Sequence, residues 1–156
     1  REKSLAMHYA YQLHARRDPT LFLCVLTAKT PAVKEKSSPE RIRQQEEIEI
    51  EVTQMCDKLF EDALKTGDLK LAPGVGVASF SFANWAMSFG TNALISTAKS
   101  AKGISRLDVS LALLHNISLL QDGMGWKPLA SEWDYMATWH RIEEEIFAEE
   151  VTALSA

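Results

Sequence analysis

The chain has 156 residues, of which 46% are apolar and 24% charged. That is enough for one domain with a real core, and too hydrophobic for a disordered segment. The net charge of -4 speaks against a free-standing nucleic-acid binder, which is usually basic. No apolar run approaches the ~20 residues of a membrane span, and no secretory leader is visible.

Residues 1–17 predict a helix, with Leu5, Tyr9 and Leu13 on one stripe and Arg16 and Arg17 favourably placed at its negative end. Asp18-Pro19 reads as an N-cap followed by proline at the first helical position. A short, all-round apolar helix through Leu21–Leu26 ends near Pro31. Lys34–Ser37 is a polar connector. Ser38-Pro39-Glu40 opens a long helix to about Thr66, roughly 42 Å. Its expected buried stripe is Ile48, Val52, Met55, Leu59 and Ala63, and Gly67-Asp68 ends it.

Leu69–Gly76 is a loop. Residues 77–97 predict an aromatic helix in which Phe80, Phe82, Trp85 and Phe89 crowd together, crossed by a polar line of Ser81, Asn84, Ser88 and Thr91. Two dispositions are open. Either the rings line a pocket with a few placed polar groups, or they are core and the polar line faces water. A small-residue linker, 96–105, follows.

The stretch Ile104–Leu129 is expected to be the centre of the fold. Its helix, about 106–124, is apolar on more than one side, more than a surface helix needs, so a second packing partner is expected. Asp122-Gly123-Met124-Gly125-Trp126-Lys127-Pro128 stops it, with Trp126 plugging a gap between helices. Ser131, paired with Asp134, is the expected cap of a closing helix to about Leu154. The fold class is therefore all-α, a bundle of about six helices forming a single domain over residues 1–156.

The chemistry is sparse. None of the four histidines lies three residues after a glutamate, so the di-iron bundle motif is missing. There is no zinc-protease pattern, phosphate-cradling loop or nucleophile elbow. No catalytic residue, metal or cofactor is expected. His115 and His140 read as structural. Cys24 and Cys56 lie in apolar patterns without C-x-x-C spacing, so buried free thiols in a reducing, cytoplasmic setting are expected. Charge is uneven, basic through Arg43 and acidic from Glu46 to Asp62 and again from Glu143 to Glu150, which reads as solvated helix faces.

One resemblance organises these parts. The acid-rich long helix ending in Gly67-Asp68-Leu69, the aromatic helix with Trp85-Ala86-Met87-Ser88-Phe89-Gly90, the apolar helix closing on Leu119–Leu129 and the final Arg141–Glu150 run together resemble the effector-binding and dimerisation domain of TetR-like transcriptional regulators. The resemblance implies a homodimer in which the last two helices form a four-helix interface, and a pocket for a small, largely apolar effector. It also implies DNA contact only through a helix-turn-helix domain that this chain lacks; the chain begins at Arg1, so a preceding segment is expected. The candidate pocket residues are Phe22, Met55, Phe82, Trp85, Phe89 and Asn116. The candidate interface residues are Leu107, Leu111, Leu114, Ile142, Ile146 and Phe147. The alternatives are a ligand-free dimerisation scaffold and a metal-dependent helical-bundle enzyme.

Overall fold

In a computed structural model, which describes residues 1–155, every regular element is helical. Helices α1 (Glu2–Arg17) and α2 (Pro19–Ala28) meet at Asp18, whose carboxylate accepts from the Leu21 amide at 2.8 Å. A one-turn α3 (Pro31–Lys34) precedes the polar connector, whose residues 35–37 are non-helical. Helix α4 (Pro39–Thr66) starts at Ser38, which accepts from the Arg41 amide, and ends at Gly67 with φ 83°, a left-handed turn that favours glycine. Helix α5 spans Val77–Thr97.

Helix α6 (Ala112–Gly123) is shorter than expected. Apolar periodicity continues back through Leu107 and Val109. Asp108, however, accepts from both the amide and the hydroxyl of Ser110, at 3.0 and 2.6 Å. That local turn competes with the helix and wins. The closing helix begins later too. Its cap is Asp134, accepting from the Ala137 amide at 2.9 Å, and Ser131 stays outside it. It runs as α7 (Tyr135–Arg141), a π-helical turn (Ile142–Ile146) and α8 (Ala148–Ser155). The wide turn is fixed by the Phe147 amide reaching back five residues to the Ile142 carbonyl.

The helix at the centre is α1, which packs against α2, α5, α6, the closing helix and its π-turn. Leu5, Tyr9 and Leu13 form the main core with Leu113, Leu114 and Ile117 of α6 and with Tyr135, Trp139 and Ile142. A second, smaller core joins Phe60, Ala63, Leu69 and Phe80 around Trp126, which is 1% exposed and fills the gap between α4, α5 and α6 as its position in the turn predicts. Arg1 locks this corner. Its guanidinium bonds Asp122 at 2.6 Å and the carbonyls of Trp126 and Pro128 at 2.8 Å, and lies 4.4 Å from the Tyr135 ring centre.

This packing revises the expected interface. Leu114 and Ile142 are buried in the chain's own core, and Phe147 stacks on Tyr9 at 5.7 Å. These three have little surface to offer a second copy. Leu111 is half-buried, while Leu107 and Ile146 are exposed but lie in different elements. Leu113, Leu114 and Ile117 are covered within the chain's own main core, whereas Val109, Leu119 and Trp133 stay exposed. Along α4 the expectation fails in the other direction. Ile48, Val52 and Met55 are exposed, and burial begins only at Phe60 and Ala63. The first half of α4 is held instead by the ion pairs Lys29–Glu49 and Lys34–Glu46.

Candidate functional site

The unusual element is α5, which is turned inside out. Its buried residues are Phe80 and then Asn84, Ser88, Thr91 and Asn92, while Phe82 and Trp85 are 65% and 39% exposed. Neither disposition read from the sequence describes this. The polar line points inward and two of the rings face solvent.

The inward face works because α1 and α6 bring matching polar groups. The Asn84 carbonyl oxygen sits 3.2 Å from His8 Nε2 and accepts from Gln121 Nε2 at 3.3 Å. Its amide donates to the Phe80 carbonyl at 3.0 Å. Gln121 Nε2 also reaches Ser4 Oγ at 2.6 Å. Asn92 donates back to the Ser88 carbonyl, and Thr91 to the Met87 carbonyl. Burial pushes the His8 imidazole down to about 4, so the ring is neutral. Ser88 Oγ and Gln121 Oε1 have no partner among the described residues.

The outward face carries a relay of rings across three helices. Phe82 lies 6.3 Å from Trp85, Trp85 lies 6.3 Å from Phe89, and Phe89 stacks on Phe22 of α2 at 5.1 Å. Phe22 meets Tyr11 of α1 edge-on at 5.2 Å. Two polar groups border the relay. Trp85 Nε1 donates to the Tyr11 hydroxyl at 3.2 Å, and Lys29 Nζ stands 5.9 Å from the Trp85 ring centre, within reach of a cation–π contact. Burial raises the Tyr11 pKa, keeping it protonated.

Four of the six candidate pocket residues are therefore neighbours: Phe22, Phe82, Trp85 and Phe89. Phe22 is the buried end of the relay and Phe82 the exposed end. The other two stand apart. Asp57 bonds Ser81 of α5, and Met55, two residues away and so about 200° around α4, faces off to the other side. Asn116 is exposed and donates to Thr91 at 2.9 Å, on the polar side of α5. Sequence reasoning missed Tyr11, Lys29, His8 and Ser4. The signal for His8 was available: it follows Ser4 by four positions, on the same face of α1 as Leu5.

The cysteines are not buried: Cys24 is exposed and Cys56 half-buried. His115 and His140 are both exposed. Two open grooves lie elsewhere. One of about 390 Å³ runs beside Arg1, Leu59, Asp62 and Trp133, and a wider one of about 590 Å³ lies between Ser118 and the 130–136 turn. Among the described residues, no three His, Cys, Asp or Glu side chains are grouped to hold a metal ion, and no helix is long and apolar enough to cross a membrane.

Fold and site together define an all-α domain with a polar buried seam and an aromatic outer face on one helix. No family model, curated protein or solved structure matches the chain.

Proposed function

We propose that this chain is the effector-binding and dimerisation part of a TetR-like regulator, sensing a small, largely apolar molecule on the outer face of α5. The observation that carries this reading is the relay of Phe82, Trp85 and Phe89, left partly open to water while the same helix buries its amides and hydroxyls. Apolar area removed from water is worth about 25 cal/mol per Å². A flat apolar molecule lying over Trp85 and Phe82 gains that area without displacing a packed neighbour. The Tyr11 hydroxyl and Lys29 supply the polar edge that orients it.

The mechanism is population shift. A ligand bridging α2 and α5 favours one placement of α2. Helix α1, joined to α2 at Asp18 and packed against α5, passes that preference to its amino-terminal end, where the resemblance places the DNA-reading head. The exposed apolar stripe of α4 favours a second reading, a scaffold whose role is assembly without a ligand.

Titration with N-phenyl-1-naphthylamine, a neutral apolar fluorophore, separates the two. Saturable binding that weakens at least about tenfold in Trp85→Ala (about 1.4 kcal/mol), with the oligomeric state unchanged, supports the effector site. Equal binding by wild type and variant removes it. Dissociation of an oligomer by Trp85→Ala would mean that the ring face is the subunit interface.

A further inference from the structure

The middle of α4 bears an apolar stripe that meets the smaller core only at its Leu59 end. Ile48, Val52 and Met55 are 61%, 48% and 55% exposed, and Leu59 continues their line at half burial. The spacing of four, three and four residues is that of a coiled-coil seam. The stripe lies about 100° around the helix from Glu49, Cys56 and Phe60, which face α2 and the body of the chain. It is therefore a flank that folding leaves uncovered, and at its lower end it opens into the 390 Å³ groove beside Leu59 and Asp62.

We propose that a second copy of this chain covers this stripe, α4 lying antiparallel to α4 about a two-fold axis. This deepens the regulatory reading, in which the domain works as a pair, and moves the pairing surface from the closing helices to α4. Two observations favour a second copy. First, the stripe is self-complementary in one register. When Val52 faces Met55 of the second copy, Ile48 faces Leu59, and all four layers are apolar. Sliding by one heptad places Val52 opposite Asp62, or brings Met55 against Gln45, so polar residues bound the seam at both ends and fix its length.

Second, charge agrees with that register. Glu51 and Lys58 flank the seam on its outer side, and the antiparallel pairing brings each Glu51 to Lys58 of the second copy, twice per dimer. Lys58 is held within its own chain by no more than a 3.5 Å contact to Asp62, both exposed, which is weak enough to yield. A parallel pairing sets Glu51 against Cys56 and gains no ion pair.

Sedimentation velocity on the whole chain at micromolar concentration tests the pairing. Wild type is expected to be dimeric. Glu51→Lys and Lys58→Glu should each weaken the dimer at least about tenfold, and the double swap should restore it. Val52→Asp, at an exposed position, should give a monomer with wild-type helicity and thermal unfolding. A monomeric wild type, a dimer indifferent to Val52→Asp, or a double swap no tighter than the single ones overturns the pairing. Probe binding at Trp85 is read in the same samples and should survive Val52→Asp, so failure of the pairing and failure of the ligand site appear in different signals.

Discussion

His8 is the residue on which the buried seam turns. Its pKa is lowered from 6.5 to about 4 because burial disfavours the charged ring, a cost that the Asn84 oxygen offsets only in part. Below pH 6.5 the unfolded chain takes up a proton that the folded chain refuses, so the stability His8 carries at neutral pH is lost as pH falls toward 4. The loss at pH 4 is about 3 kcal/mol. His8→Gln keeps a donor for Asn84 and cannot titrate. Urea unfolding of both proteins from pH 7 to pH 4 should show wild type losing about 3 kcal/mol more than the variant; parallel curves would mean that His8 is not buried neutral.

At the scale of elements, the helices announced by their caps were legible. Asp18-Pro19, Ser38-Pro39 and Gly67 carry local chemistry that acts within one turn, and those boundaries match. The start of α6 was not legible from apolar spacing, because one carboxylate at Asp108 overrides the pattern with two bonds to Ser110. The face of α5 was hidden for a different reason. A single helix does not reveal that His8 and Gln121, from two other helices, both reach the Asn84 oxygen. Four ring residues of the site could be picked out as a group, but their outward orientation depends on that three-helix match. The inversion has a measurable consequence. Asn84→Ala leaves His8 and Gln121 short of an acceptor and should cost about 2–3 kcal/mol, whereas Phe82→Ala, at 65% exposure, should cost about 0.5 kcal/mol or less. Thermal unfolding of the two variants decides it, and the opposite order would place the rings in the core.

For the whole molecule, the division of labour follows from what each helix leaves uncovered. Helix α1 closes the main core and Trp126 the smaller one, so neither core needs a second chain. Exposed apolar side chains remain on most elements, Leu21, Leu119 and Ile146 among them; the ring face of α5 is the proposed ligand face and the stripe of α4 the proposed pairing face. The excess apolar surface that the sequence places between 106 and 154 remains in part, since Leu107, Leu119, Trp133 and Ile146 stay exposed, and a further share lies on α4 ahead of Phe60.

Hydrogen exchange across the whole chain, with and without saturating N-phenyl-1-naphthylamine, tests the ligand-sensing reading most directly. Slowed exchange confined to α2, to α5 around Phe82–Phe89 and to the neighbouring turn of α1 is the result the account predicts. Slowed exchange only at the Ser118 and 130–136 groove, or no change anywhere at saturation, would contradict it.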